Sequence, residues 1–257
     1  MINVLLMGLG PLLLIHVTYF IAVKKNDFSV IDSVWGVGFI ALALMGNILS
    51  GFSNPREILI FVMVLLWGLR LSLFIHSRNK GKGEDFRYAQ MRKNWGINAN
   101  KTAYFKVFLL QFILMLVVGL PLFAVHLSEP SPFLFLDFLG AFLWLVGLSW
   151  EAIADAQKSA FKKVNKDGIT NVGLWFYSRH PNYFGEILLW WGIGLVSLMG
   201  RNSWGILGAL FINFLILKIS GVPLIEARHE QNPDYQDYKK STPTLIPNLL
   251  KRRVRKG

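Results

Sequence analysis

The sequence contains no cysteine and has few charged residues. Only 16% of its 257 residues are Asp, Glu, Lys or Arg, against a usual share of about 25%. The missing cysteine excludes a disulfide-stabilised scaffold, and the apolar content of 53% excludes a disordered chain. Residues 1–23, 33–55 and 107–128 carry no charged side chain, and each stretch is long enough to cross ~30 Å of hydrocarbon as a helix. The sequence therefore predicts an integral membrane protein.

The apolar runs predict an all-α bundle of seven transmembrane helices. We expect a single membrane domain, 1–257, with N-terminal spans over about 2–126 and a C-terminal, cofactor-binding part over about 133–257. The predicted spans cover about 2–23, 28–49, 57–77, 104–126, 133–155, 184–200 and 203–225.

Basic residues are concentrated in alternate connections. Of the 27 Lys and Arg, two lie in the first connection, seven at 78–101, five at 158–179 and eight from Arg228 onward, whereas the other three connections carry only Arg56 and Arg201. The positive-inside rule then places the N-terminus outside and the C-terminus in the cytoplasm, which in a bacterium means the inner membrane. Because the basic charge follows topology, nucleic acid is not an expected partner. We expect the basic tail to lie against anionic lipid headgroups; it comprises Lys251, Arg252, Arg253, Arg255 and Lys256.

Ionisable side chains inside the predicted spans are few, and their positions indicate a site. Such groups are costly in lipid and usually face a cavity or pair with one another. With the predicted orientation they lie in the cytoplasmic half of the membrane, so we expect one polar cavity that opens to the cytoplasm. They include Asp32, Arg70, Glu151, Asp155 and Glu186.

Asp32 lies in the segment Asp32-Ser33-Val34-Trp35-Gly36, with no basic residue nearby toward the span centre. It needs a partner from another helix, and Arg70 is the expected one. Asp32 is then either catalytic or, if the pair forms, architectural. For Asp137 and Lys218 we expect no functional role, only solvation at a span end or neutralisation by a nearby charge.

Four charged residues at the end of the fifth span fall on one helical face. Glu151, Asp155, Lys158 and Lys162 recur at i, i+4, i+7 and i+11. A solvated stripe of ion pairs would give the same pattern.

A dense polar and aromatic run leads into the sixth span and favours a functional site. Pro181 suits the first position of a helix, and Arg179 and His180 would add a cation to the helix N-terminus, as an anion site requires. Asn182 and Glu186 lie one turn apart on the same face. The run comprises Asn171, Gly173, Tyr177, Arg179, His180, Pro181, Asn182, Tyr183, Gly185 and Glu186. The five histidines show no ligand spacing, so we expect no metal site.

The run Ser178-Arg179-His180-Pro181-Asn182-Tyr183-Phe184-Gly185-Glu186 and a tail with Tyr235-Gln236-Asp237-Tyr238-Lys239 and Leu245-Ile246-Pro247 resemble the C-terminal domain of the steroid 5-alpha-reductase family. The prokaryotic branch of that family also matches at 32–36 and 78–88. The resemblance implies seven membrane helices, NADPH in a cytoplasm-facing cavity, and reduction of a carbon–carbon double bond conjugated to a carbonyl.

The resemblance also implies roles for individual residues. Asn182 matches the cofactor-binding Asn of the family and Asp155 an Asp on the preceding helix, while Glu151 replaces an Asn and Lys162 an Arg. Asn79 and Lys82 match a loop that covers the nucleotide, and Glu186 an acid lining the substrate cavity. Eukaryotic members carry a Gln-Glu pair in span two and a Tyr in span three; this chain has Asp32 alone and no Tyr there, which does not favour a steroid.

The resulting hypothesis is an NADPH-dependent reductase of an apolar enone lipid, which is steroid-like, isoprenoid or fatty-acyl. Asp32 or Glu186 would protonate the substrate. Arg179, His180, Lys162 and Lys82 would meet the adenosine phosphate. Further expected cofactor contacts are Tyr183, Asn171, Tyr235 and Tyr238, and expected substrate contacts are Trp35, Arg70 and Tyr88.

Two alternatives stay open at this stage. The run Arg179-His180-Pro181-Asn182-Tyr183 also resembles membrane methyltransferases similar to isoprenylcysteine carboxyl methyltransferase, which use S-adenosylmethionine. Asp155, Asn79, Lys82 and Asp32 favour the reductase. A non-enzymatic, lipid-binding membrane protein is the third hypothesis.

Overall fold

The structure is a computed structural model that describes residues 2–199 and 202–251. Within these residues all regular secondary structure is helical, which confirms the predicted all-α class. The α-helices are α1 Ile2–Met7, α2 Leu9–Lys25, α3 Val30–Ser50, α4 Pro55–Asn79, α5 Phe86–Trp95, α6 Ala99–Ala103, α7 Leu110–Val118, α8 Leu120–His126, α9 Phe135–Val164, α10 Leu174–Tyr177, α11 Pro181–Leu198, α12 Ile206–Phe214, α13 Val222–His229 and α14 Pro233–Ser241. Arg201 and the basic tail from Arg252 onward lie outside the described residues.

Six helical stretches of the described chain are long and apolar enough to cross a membrane, which supports an integral membrane protein. They are Ile2–Lys25, Val30–Leu49, Pro55–Asn79, Phe86–Val118, Phe135–Val164 and Ser203–His229. The predicted fourth span, 104–126, is displaced toward the C-terminus relative to the observed stretch, because helix already forms from Phe86. Turns of π-helix at Tyr104–Leu109 and Leu215–Ile219 interrupt the fourth and the last stretch.

The predicted sixth span, 184–200, corresponds to α11 and is not among these six stretches. The first two turns of α11 carry Pro181, Asn182 and Glu186, which lower its apolar character. Seven spans and the orientation of the termini stay predictions, as does the organisation as one membrane domain.

Side-chain caps fix where several helices begin. Asn54 accepts a hydrogen bond from the backbone N–H of Arg56, with Pro55 at the first helical position of α4. Asp85 caps α5 in the same way through Arg87 N–H. These caps satisfy N–H groups that have no partner within the helix.

The chain forms two compact units, Met1–Phe138 with Ile193–Gly208 (unit 1) and Leu139–Gly192 with Ala209–Gly257 (unit 2). In unit 1, α3 and α4 meet at glycines: a Cβ atom on Gly36 would lie 2.4 Å from the carbonyl oxygen of Gly68. In unit 2, α9 and α11 meet likewise, since a Cβ on Gly185 would lie 2.6 Å from Gly147 O. Small residues at helix crossings allow the close backbone packing that membrane helices use.

A buried ion pair ties the start of α4 to the start of α9 in unit 1. Arg56 donates from Nε to Asp137 Oδ1 at 2.8 Å and from Nη2 to Asp137 Oδ2 at 2.9 Å. Both side chains are 1% exposed, and Arg56 also donates to Ser131 and Pro132. Asp137 therefore neutralises Arg56, as expected for a residue without a functional role. It is fully buried, however, and not solvated at the end of a span. Lys218 is exposed on the π-helical turn.

Replacing Arg56 by Leu should lower the free energy of unfolding by about 3–5 kcal/mol, because the carboxylate of Asp137 stays buried without its counterion. The double variant Arg56→Leu/Asp137→Leu should recover much of that loss, and Arg78→Leu, at an exposed position, should have little effect. Chemical unfolding in detergent micelles measures all three. Equal losses for Arg56→Leu and Arg78→Leu would contradict a structural role for the pair.

Candidate functional site

The charged face predicted at the end of the fifth span forms on α9 in unit 2. Glu151 and Asp155 are buried, at 3% and 6% exposure, while Lys158 and Lys162 one to two turns later are half-buried. A solvated stripe of ion pairs is therefore wrong for the two acids. This face of α9 is covered by protein and carries both signs of charge.

The segment that contains α10 packs against this part of α9. Trp175 Nε1 donates to Ala154 O at 2.8 Å, and Leu174 N–H donates to Gln157 Oε1 at 2.8 Å. The ammonium of Lys158 lies 4.5 Å from the centre of the Trp175 ring, in cation–π contact. These contacts fix the polar and aromatic run beside the acids of α9.

The side chain of Arg179 makes five hydrogen bonds within unit 2. Its Nε and Nη2 donate to Glu226 Oε1 at 3.0 and 2.5 Å, and Nη2 also donates to Thr244 Oγ1 at 2.8 Å. Its Nη1 donates to Lys239 O at 3.1 Å and to Thr242 O at 2.6 Å. A guanidinium has five N–H donors, so these five bonds use all of them.

The backbone of the same segment pairs with the C-terminal tail. Arg179 N–H donates to Pro243 O at 2.9 Å, and His180 N–H donates to Thr244 O at 3.1 Å. Further on, Asn248 N–H donates to Tyr177 O at 2.9 Å. The segment 243–248 therefore holds the residues that precede α11 in place. This helix begins at Pro181, as the sequence predicted.

Two residues expected to contact a cofactor have structural bonds instead. Arg179 has no donor left for a phosphate. Tyr238 directs its buried hydroxyl to the carbonyl oxygens of Trp175 and Ser178, the latter at 3.1 Å. The sequence could not assign these bonds because their partners lie 47 to 65 positions away along the chain.

His180 is nearly completely buried, with 2% exposure, and its ring stacks on Tyr183 at a centroid distance of 5.5 Å. Burial lowers the pKa of His180 to about 4, although the nearby carboxylate of Glu226 acts in the opposite direction. His180 is therefore neutral at physiological pH and is not the cation that the sequence analysis expected.

Unit 2 also holds buried polar atoms that make no well-formed hydrogen bond among the described residues. They include His180 Nε2, 3.5 Å from Glu226 Oε1, and the hydroxyl of Tyr235, which lies beside the Arg179 guanidinium. Burial raises the pKa of Tyr235, so its hydroxyl keeps its proton. Buried polar atoms are normally satisfied, so these two atoms are candidates for contacts to a ligand.

Basic side chains from α9 and α13 lie near His229, which is next to Tyr235. Lys158, Lys162 and Arg228 all act electrostatically on His229, whose ring lies 5.1 Å from that of Tyr235. Lys162 also donates to Lys166 O and Gly168 O at 2.9 and 2.8 Å, which orients its ammonium. Arg228 and His229 were not predicted as site residues. They follow the last span, where charged residues at the membrane interface are common.

The remaining predicted residues of unit 2 lie along the same run. Asn182 and Glu186 are half-buried on α11, and Asn171 is exposed. Asn182 and Glu186 stand one turn apart, as predicted. Their roles stay predictions.

The second predicted centre lies in unit 1 and surrounds Asp32. Tyr88 Oη donates to Asp32 Oδ1 at 2.5 Å, and Arg87 Nη2 donates to Asp32 Oδ2 at 2.9 Å. Both partners belong to α5, which the sequence analysis treated as part of a connection. The expected pairing of Asp32 with Arg70 is wrong, since Arg87 takes that place; Arg70 is half-buried on α4.

Further ion pairing attaches the 84–92 segment to the turn between α2 and α3. Arg92 donates to both carboxylate oxygens of Glu84 at 3.0 and 2.9 Å, and its guanidinium stacks 3.7 Å above the Phe28 ring. Glu84 in turn accepts from Phe28 N–H at 2.7 Å. These bonds hold the segment 84–92 against the residues that precede α3.

The predicted nucleotide loop and the predicted tryptophan also lie in unit 1. Lys82 N–H donates to Asn79 O at 3.1 Å, closing a tight turn. Gly81 has φ of 77° there, a conformation that glycine adopts without strain. The ammonium of Lys82 is exposed, and Trp35 packs edge-on against Phe39 at 5.1 Å.

Protein stability should fall as the pH drops from about 6.5 to about 4, with a contribution from His180. The unfolded chain binds a proton at this residue below its ordinary pKa of 6.5, whereas the folded protein does so only near 4. Above pH 6.5 His180 is neutral in both states and does not lower the free energy of unfolding. On acidification that free energy falls, by up to about 3 kcal/mol. Unfolding titrations in detergent should show a shallower pH dependence for His180→Asn, with exposed His76→Asn as the control. Identical pH profiles for all three proteins would show that His180 is not held neutral.

Three comparisons place the chain among known proteins. A family model described as "Protein of unknown function (DUF1295)" matches residues 18–242. The chain is 33% identical over 116 residues to 3-oxo-5-alpha-steroid 4-dehydrogenase 1 of Rattus norvegicus, covering 43% of this chain and 41% of that protein. The protein of the same name from Mus musculus is 31% identical, with 43% and 42% covered, and that from Homo sapiens 32%, with 44% and 41%. No solved structure matches significantly.

The matched segment thus spans about 41–42% of the length of these curated relatives. The family model, in contrast, covers most of the chain. The chain belongs to the DUF1295 family. The resemblance seen in the sequence motifs is confirmed, because 116 of its residues are similar to 3-oxo-5-alpha-steroid 4-dehydrogenase 1.

Proposed function

We propose that this protein is a membrane-embedded, NADPH-dependent reductase of an apolar enone lipid. The observation that carries the proposal is the cradle in unit 2. In it, Lys158, Lys162 and Arg228 act on His229 next to Tyr235, and the buried atoms His180 Nε2 and Tyr235 Oη make no well-formed hydrogen bond among the described residues. The relatives named 3-oxo-5-alpha-steroid 4-dehydrogenase 1 support an oxidoreductase of this class.

The residues present fit a dinucleotide with an extra phosphate. Lys158, Lys162 and Arg228 supply positive charge from two helices, and phosphate groups bind where such charges converge. Tyr235 Oη and His180 Nε2 offer a neutral donor and a second neutral polar atom. Asn182, half-buried at the start of α11, offers an amide that can donate and accept, as a nicotinamide carboxamide requires.

In this proposal Arg179 is a positioning residue. Its five bonds hold the tail against the entrance to α11, which places Tyr235 and His180 beside the basic side chains. The contacts that the family resemblance implies for Lys82, Asn79 and Asn171 stay predictions from the sequence.

Reduction of an enone requires a hydride at the β-carbon and a proton to complete the saturated ketone. NADPH, when bound, supplies the hydride. The protein's part is to polarise the carbonyl and to deliver the proton, for which Asp32 and Glu186 are the proposed acids. Tyr88 donates a hydrogen bond from its hydroxyl to Asp32. When Asp32 carries a proton, that hydroxyl can accept from the acid and donate to a carbonyl oxygen instead.

Asn182→Ala and Lys158→Gln should each weaken NADPH binding by about tenfold, since each removes a contact worth roughly 1.4 kcal/mol. Lys163→Gln, exposed on the same helix, is the matched control and should bind NADPH as the wild type does. Titration of the detergent-purified protein with NADPH and, separately, with S-adenosylmethionine gives the affinities. Tight binding of S-adenosylmethionine alone would favour a methyltransferase, and no affinity for either would favour a non-enzymatic lipid-binding protein.

Asp32→Asn should abolish enone reduction while leaving NADPH affinity within about twofold of the wild type. The amide keeps the shape and can still accept from Tyr88, but it cannot carry the proton. Asp85→Asn is the matched control, because Asp85 also pairs with Arg87, at 2.9 Å, but lies outside α3. NADPH oxidation with a panel of apolar enones measures turnover. Retained activity in Asp32→Asn removes Asp32 from the mechanism and leaves Glu186 as the acid.

A further inference from the structure

A groove of about 590 Å³ opens on the surface of unit 1, between α2 and the segment 97–105. Its walls include His16, Tyr19 and Phe20 from α2 and Tyr104 from the π-helical turn. The volume falls in the range of small-molecule sites, and single π-helical turns are frequent at functional sites. None of the residues placed in the proposed reductase site lines this groove.

The aromatic wall of the groove is held in one arrangement. His16 bonds through Nδ1 to Leu12 O at 2.8 Å and through Nε2 to Tyr104 Oη at 2.8 Å. Tyr19 packs edge-on against Tyr104 at 5.1 Å and against Phe108 at 5.3 Å. A neutral imidazole satisfies both bonds, donating to the carbonyl and accepting from the hydroxyl. The groove is therefore preformed.

The α2 wall of the groove carries an apolar stripe that continues along the helix. Phe20 is 68% exposed, and Leu13 and Val17 extend the same face toward the N-terminus, at spacings of four and three residues. Ile97, on the opposite wall, is fully exposed. Such a stripe on a helix of a membrane span is a surface for an acyl chain.

The wall formed by the segment 97–105 supplies polar groups and a positive charge. Asn98, Asn100 and Lys101 line it, and the groove's lining contains no acidic side chain. Lys24 and Lys25 end α2 within about 8 Å of Phe20 along the helix axis, at a rise of 1.5 Å per residue. The groove thus lies near the end of α2, at the depth at which tyrosines and lysines meet lipid headgroups.

We propose that this groove binds one anionic phospholipid. The phosphate lies against Lys101 and the side-chain amides of Asn98 and Asn100, and an acyl chain follows Val17 and Leu13. Charge selects an anionic headgroup over a zwitterionic one, because a Lys with no acid in the lining adds about 1 kcal/mol of attraction. The aromatic side chains of His16, Tyr19 and Tyr104 provide a fixed surface for the lipid.

Native mass spectrometry of the full chain released from nanodiscs tests the proposal. With equal phosphatidylglycerol and phosphatidylcholine, the wild type should retain phosphatidylglycerol about fivefold more often, in a ratio of one lipid per chain. Lys101→Gln should lose this preference and Lys101→Arg should keep it. Lys93→Gln, at an exposed position of the nearby α5, should behave as the wild type.

Three results would overturn the proposal. Equal retention of phosphatidylglycerol by Lys101→Gln and the wild type would show that the groove does not select it. Equal losses in Lys93→Gln and Lys101→Gln would indicate general surface charge. Displacement of the lipid by millimolar inorganic phosphate alone would indicate a free-anion site without an acyl contribution.

Discussion

Unit 2 depends on the guanidinium of Arg179. Its five donors bind one carboxylate, two backbone carbonyls and one hydroxyl, and the acceptors come from residues 226–244. Because the group is 7% exposed, losing its partners would leave a buried charge, which is strongly destabilising. The positions of His180 and Tyr235, and so the shape of the proposed cofactor cradle, follow from this one side chain.

The membrane-spanning helices could be predicted because they depend on the total hydropathy of long stretches of sequence. Charge-free runs identify spans regardless of which side chains pack together, and five of the predicted spans coincide with apolar helices of the structure. Local exceptions escaped the prediction. The fourth stretch begins as early as Phe86, with the polar helix α5. This helix is stabilised by the Asp85 cap and by pairing of Arg92 with Glu84, which a hydropathy pattern does not detect.

The sites were only partly predictable, because partners distant in sequence decide what a charged residue does. The grouping of Glu151, Asp155 and Lys158 on one face follows from helical periodicity alone. Periodicity does not show whether Arg179 binds a phosphate or a carboxylate, because an Arg beside the start of a helix suits both. The ion pair with Glu226 identifies the carboxylate. Asp32 gives the same lesson: a partner was required, but Arg87 lies on a helix whose position the hydropathy pattern does not reveal.

The central claim, a nicotinamide cofactor held by unit 2, is tested most directly by identifying the small molecules that stay with the protein. After gentle purification in detergent, mass spectrometry of the released ligands should detect NADPH or NADP⁺ from the wild type and much less from Asn182→Ala prepared in parallel. Recovery of S-adenosylmethionine or its demethylated product in their place would contradict the account and identify the cradle as the site of a methyltransferase.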